Sequence, residues 1–184
     1  MNEAIPEKVI SSREIYRGRI VTLRVDEIRL PSGRTTTREI VEHPGAVVIV
    51  AVDSRDRVIL VRQYRAAIAQ TTLELPAGTR EPNEAAERCA QRELAEETGL
   101  SAQTWHPLVG FYSTPGFTNE HLSVFVATDL GPAEGHPEED ESIQHEWVDL
   151  TAVPGMISKG EICDAKTIAG LLCYLQGIRA TRGV

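Results

Sequence analysis

Three glutamates, Glu93, Glu96 and Glu97, stand at i, i+3 and i+4 in the run Arg92-Glu93-Leu94-Ala95-Glu96-Glu97-Thr98-Gly99-Leu100. At about 100° per residue, a helix brings all three carboxylates onto one face. Like charges that close repel, and these sit toward the helix C-terminus, where the macrodipole disfavours anions. Such a face needs cations. Arg88 and Arg92 can supply them, as on any solvated charged face. Bound Mg²⁺ or Mn²⁺ can supply them too, because hard divalent cations take oxygen ligands and bridge carboxylates to phosphate oxygens. The second arrangement suits a phosphorylated substrate.

The surrounding pattern supplies elements to position these acids. Asn83 to Thr98 is rich in Ala, Glu, Arg and Leu and predicts a helix, with Gly99 where a C-cap belongs. Leu73 to Pro76 is a short extended piece leading into it. Ala46 to Val52 is an unbroken apolar run, as expected of a strand buried on both faces. Val58 to Gln63 follows a polar turn, so the two predict a central hairpin. Further strands are expected at Leu108 to Tyr112, His121 to Ala127 and Gln144 to Val148, with Gly131 to Glu141 a polar loop. A last helix is expected from Ala165 to Leu175, capped by Asp164. Before all of these, Ile20 to Leu30 and Thr35 to Val41 read as an antiparallel pair around Pro31-Ser32-Gly33. His43-Pro44-Gly45 marks a boundary, giving an N-terminal strand region at 1–43 and a main domain at 44–184.

Length and composition limit the alternatives. The chain has 184 residues, 41% of them hydrophobic and 25% charged, as in an ordinary folded domain. No 18-residue apolar run is present, so no membrane-spanning helix is expected. The N-terminal residues lack the basic flank and apolar stretch of a secretory signal. The formal charge of −8 argues against a nucleic-acid partner. The 3 cysteines, Cys89, Cys163 and Cys173, have no metal-ligand spacing, and a reducing cytoplasm is expected. The histidines likewise show no metal spacing. Trp105 and Trp147 are expected to pack in the core.

Beyond the acidic triplet, the sequence matches G-x5-E-x7-R-E-U-x-E-E-x-G-U in full, where U is a bulky apolar residue. Its fixed positions are Gly78, Glu84, Arg92, Glu93, Glu96, Glu97 and Gly99, with Leu94 and Leu100 at the U sites. Chance would produce this on the order of once per million such chains. The pattern resembles the box of the Nudix hydrolases, which cut a nucleoside diphosphate linked to another group. The resemblance implies an α/β fold, an α/β/α sandwich around a mixed central sheet, preceded here by a small antiparallel sheet. It implies Mg²⁺ or Mn²⁺ as cofactor, with Glu93 and Glu97 as direct ligands, Glu96 assisting and the Ala77 carbonyl as a further ligand. Arg92 is expected to brace Glu84 through its guanidinium fork.

Other stretches resemble the ADP-ribose pyrophosphatase subgroup. Pro115 lies 16 residues after Gly99, in a loop expected near the terminal ribose. Val61-Arg62-Gln63-Tyr64-Arg65 places Arg65 on the diphosphate. Tyr16 to Ile20 resembles a segment that covers the adenine across a homodimer, with Arg19 and Ile20 against the base and Glu39 accepting from its amino group. The acids at the tip of the late loop resemble the segment carrying the catalytic base, with Glu141 expected and Glu139 or Asp140 as alternatives. The activity so implied is hydrolysis of ADP-ribose, or another ADP-sugar, to AMP and ribose 5-phosphate. Another nucleotide sugar such as GDP-mannose, a dinucleotide, or a non-catalytic ADP-ribose sensor are the competing expectations.

Overall fold

The computed structural model describes residues 7–133 and 144–177. The chain divides into two compact units. One runs through Pro44 and includes Tyr112–His121, and the other holds Gly45–Phe111 and the residues from Leu122 onward.

The first unit is a three-stranded antiparallel sheet of β1 (Lys8–Arg17), β2 (Thr22–Arg29) and β3 (Thr35–Glu42), in that order. The two later strands form around Pro31-Ser32-Gly33 as expected, with Gly33 at φ 84° in the turn. The first strand is an addition. Its residues lack clean alternation, and shifts in its register at Val9/Ser11 and Glu14/Tyr16 explain why. Every residue of β1 is exposed, including Val9, Ile10, Ile15 and Tyr16. Ile28 of β2 is buried.

In the second unit, β4 (Ala46–Ala51) runs through the middle of a mixed sheet with β7 (Ala77–Thr79), β8 (Leu100–Tyr112) and β9 (His121–Pro132). The order is β7-β4-β9-β8, with β4 antiparallel to β7 and parallel to β9. All of β4 is buried, and its alternating side chains enter two different cores. Val48 and Val50 join Leu75, Val124 and Leu171, beside helix α3 (Ala165–Leu175). Val47, Ile49 and Ala51 join Cys89, Ala90 and Leu94 of helix α1 (Ala86–Thr98). The sheet thus carries a helix on each face, the α/β/α arrangement expected.

The central hairpin is not formed. β5 (Arg57–Arg65) leaves β4 after one bridge, Val52 to Val58, and pairs instead with β6 (Gln70–Glu74) and β10 (Gln144–Asp149) in a separate antiparallel sheet. Two apolar strands joined by a turn cannot reveal which other edges they will choose. A short helix, α2 (Val153–Ser158), follows β10 and was not expected. Trp105 and Trp147 pack against the α1-side core, with Arg57 over the Trp147 ring. Among the described residues, no helix is long and apolar enough to cross a membrane.

Candidate active site

The loop from β7 to α1 and the helix itself fold around Arg92. Its Nε donates to Glu84 Oε1 at 3.0 Å and its Nη2 to Glu84 Oε2 at 3.1 Å, the expected bidentate brace. Its Nη1 donates to Glu93 Oε1 at 2.7 Å and to Glu96 Oε2 at 2.9 Å. Arg92 therefore supplies part of the positive charge that the acidic face requires. The Glu84 carboxyl is pushed down to about 2 by its hydrogen bonds from Arg92, against the opposing effect of burial. The Arg92 guanidinium is raised further above its already high value, chiefly by Glu84.

Gly78 owes its identity to a close approach rather than to backbone strain. A Cβ there would lie 1.8 Å from the carboxyl carbon of Glu93. On the same loop, the Ala77 N–H donates to Glu97 Oε2 at 3.0 Å. Glu93 and Glu97 thus flank the backbone of Ala77–Gly78. At the far end of α1, Gly99 takes φ 67° and its N–H bonds the Ala95 carbonyl. The turn before the helix is tied by Glu84 Oε2 accepting from Glu81 N and by Arg80 donating to the Glu84 carbonyl. Cys89, for which the sequence offered no partner, is buried against the Thr79 carbonyl and Arg92. Burial, with Glu84 beside it, pushes its thiol up to about 12, so it is inert packing.

This donor set fits a hard divalent cation. Arg92 bonds three carboxylates and can neutralise one, which leaves an excess of negative charge beside the Ala77–Gly78 backbone. Among the described residues, no three acid, histidine or cysteine side chains close a metal cage by themselves. Mg²⁺ does not require one, because it keeps several waters and commonly binds through one or two carboxylates plus substrate phosphates.

Arg65, at the end of β5, belongs to the same unit. Its charge is held chiefly by Glu74, and Glu97 contributes as well. The sequence missed the group that holds it. Glu74 lies between Leu73 and Leu75 at the end of β6, and its side chain is 2% exposed. An acid inside an apolar strand is the signal that could have found it, since a buried charge must be paired. Its partners are Arg65, Thr72 and Lys166. Burial pushes the Glu74 carboxyl up, but these three partners more than offset it and bring it to about 2.

The other sequence-derived candidates lie in the first unit or outside the described residues. Arg19 and Ile20 are exposed in the turn between β1 and β2. Glu39 is exposed on β3, opposite Val25. Thr22 pairs with Glu42 and Val25 with Glu39, so Glu39 lies three residue steps, roughly 10 Å, along the sheet from the start of β2. Pro115 is exposed in a segment fixed to β3 by Val41 N to Phe117 O at 2.8 Å and His43 N to Asn119 Oδ1 at 2.8 Å. Glu139, Asp140 and Glu141 lie outside the described residues.

A helix thus lies on either face of a mixed sheet, and a glycine loop is held between two helix glutamates. The NUDIX domain family matches residues 42–171, and the chain belongs to that family of hydrolases. Family members generally work with a divalent metal. Residues 7–41 match the nucleoside diphosphate sugar hydrolase N-terminal domain. The chain is 39% identical over 176 residues to the ADP-ribose pyrophosphatase of Bacillus subtilis (strain 168), covering 95% of each chain. It is 40% identical over 169 residues to the ADP-ribose pyrophosphatase of Mycobacterium tuberculosis (strain ATCC 25618 / H37Rv), covering 90% of this chain and 81% of that protein. The methanol dehydrogenase activator of Bacillus methanolicus is 36% identical over 178 residues, 96% of each. A solved structure of an ADP compounds hydrolase shares the fold at a TM-score of 0.86 and 21% identity, covering 96% of both chains.

Proposed function

We propose that this protein hydrolyses ADP-ribose to AMP and ribose 5-phosphate. The observation that carries the reading is the seating of Glu93 over Gly78 and of Glu97 on the Ala77 N–H, in a chain similar over nearly its whole length to ADP-ribose pyrophosphatases. Glu93 and Glu97, with Glu96 and the Ala77 carbonyl, would hold Mg²⁺ or Mn²⁺. When bound, the ion neutralises the diphosphate and makes water more acidic. Arg92 keeps Glu93 and Glu96 oriented. Arg65 binds phosphate oxygens. Glu141, or its neighbours Glu139 and Asp140, takes the proton from water. The water oxygen bonds to one phosphorus as the bridging oxygen leaves with the other.

In this reading Arg19, Ile20 and Glu39 contact the adenine, and Pro115 shapes the loop at the terminal ribose. Residues 1–43 form a dimerising region, and the exposed apolar side chains of β1 favour its pairing with a second copy. The free cysteines suit a cytoplasmic setting. The similarity to an activator of methanol dehydrogenase favours a second reading, in which the chain acts on a partner enzyme. A panel of ADP-ribose, GDP-mannose and dinucleotides with Mg²⁺ tests both. Turnover greatest on ADP-ribose supports the proposal. Binding without turnover of any of them would leave the second reading.

A further inference from the structure

Glu74 is the most deeply buried acid beside the site, and nothing in the reaction consumes it. Arg65 Nε donates to its Oε1 at 2.8 Å and Arg65 Nη2 to its Oε2 at 2.6 Å. The Thr72 hydroxyl donates to Oε1, and Lys166 Nζ donates to Oε2. Four donors thus fill a carboxylate that has about four acceptor positions. Lys166 also donates to Asp164 Oδ2 at 2.9 Å. Asp164 caps α3 by accepting from Thr167 N at 3.0 Å, and the Thr167 hydroxyl accepts from Leu75 N at 2.9 Å. The strand end carrying Glu74 is therefore fastened to the start of α3 by side chain and backbone alike.

A guanidinium has five N–H donors in a rigid plane. Glu74 engages the Nε–Nη2 edge, which fixes the direction of the opposite edge containing Nη1. Arg65 keeps 40% of its side chain exposed while Glu74 stays out of water. An exposed arginine without such an anchor samples many rotamers and must lose that freedom on binding.

We propose that Glu74 is a positioning residue for substrate binding: it holds the Arg65 fork so that the free edge is already aimed at a phosphate oxygen of the nucleoside diphosphate. Lys166 and Thr72 hold Glu74 in turn. The inference rests on the reading of Arg65 as a phosphate-binding residue, and the experiment separates the two.

Kinetics with ADP-ribose and saturating Mg²⁺ are compared for wild type, Arg65→Lys, Glu74→Gln and the double variant. Glu74→Asp is the companion variant. It keeps the charge that the two cations need and withdraws the carboxylate by one methylene, so it reports where Glu74→Gln does not fold. Arg65→Lys is expected to raise KM about tenfold. Glu74→Gln or Glu74→Asp is expected to raise KM by a similar factor, with kcat changed less. The double variant should be within about twofold of Arg65→Lys, because the anchor matters only through the fork it holds. Additive losses would overturn the proposal and reduce Glu74 to a brace of the fold. A normal KM in either Glu74 variant would overturn it as well. If Arg65→Lys has a normal KM, the reading of Arg65 itself fails, and the proposal falls with it.

Discussion

Arg92 and Glu74 centre two ion-pair networks in the same unit, built to opposite plans. Arg92 is one cation among three carboxylates, Glu84, Glu93 and Glu96. Glu74 is one carboxylate between two cations, Arg65 and Lys166, and Asp164 completes the charge balance. Exposure explains the difference. Glu96 is 32% exposed and water tolerates the excess charge there, whereas Glu74 is 2% exposed and unpaired charge at that depth is costly. In the proposed reaction the unbalanced network is the one that would accept a cation. The balanced one offers a rigid cationic edge and leaves its charge count unchanged. A diphosphate with its metal needs both kinds of site.

The comparison breaks most readily at the unbalanced network. Glu93→Gln and Glu97→Gln are each expected to lower kcat at least about 100-fold with the fold intact, since each removes a charge that a metal would need. Gly78→Ala should do comparable damage without replacing a carboxylate, because its methyl would displace the Glu93 carboxyl group. Circular dichroism would confirm folding, and steady-state rates at saturating Mg²⁺ would measure the loss. Near-normal turnover in either glutamine variant would end the assignment of those residues to the metal.

The base is the next test. Glu141→Gln is expected to lower kcat about 100-fold with KM little changed, because proton removal occurs only on the way to the transition state. An active single variant would move the role to Glu139 or Asp140. Glutamine substitutions at those two positions would then identify the residue whose loss slows kcat.

These two networks also show how far the sequence could be read. The Arg92 network closes within one helix and the loop before it, so residue spacing carries its geometry, down to the Gly99 cap. The Glu74 network joins β5, β6 and α3, and Lys166 lies 92 residues from Glu74. No local pattern encodes such a pairing. Only the misplaced charge in an apolar strand hinted at it. The same rule covers the central sheet. The apolar run of β4 announced burial on both faces, but its partners β7 and β9 are remote, while the nearer β5 meets it at one bridge only. In the N-terminal sheet, β2 and β3 meet through a short turn and were legible. The register shifts of β1 concealed it.

A smaller effect is expected from the N-terminal sheet, whose proposed role is in binding rather than chemistry. Deleting residues 1–43 should convert a species near twice 20.2 kDa into monomer by light scattering, and raise KM for ADP-ribose about tenfold. Single substitutions such as Ile15→Lys on exposed β1 should weaken the assembly while leaving the Arg92 network intact. A wild-type monomer with full activity would rule out the shared site. A dimer whose truncation leaves KM unchanged would keep the assembly and remove the adenine contacts from it.

The smallest effect concerns the starts of the two helices that carry the networks. Asp164 caps α3 and belongs to the Glu74 network, whereas α1 begins at Ala85 with no side-chain cap. Ala85 already has extended geometry, φ −67° and ψ 138°, as a capping residue requires. A serine there could accept from the N–H two or three residues on without adding charge beside Glu84 and Glu87. Ala85→Ser is therefore expected to stabilise the fold by about 1 kcal/mol, or about 2–4 °C in Tm for a chain of this size. Asp164→Ala should move Tm the other way by at least as much, since it removes both a cap and a partner of Lys166. Scanning calorimetry of the two variants would measure the contrast. If Ala85→Ser raises Tm and leaves kcat unchanged, the uncapped start of α1 is a tolerated weakness, and the box glutamates keep their places without a capped first turn. If kcat falls as Tm rises, the loose first turn matters to the metal-binding face, and the Arg92 network is less self-contained than its geometry indicates.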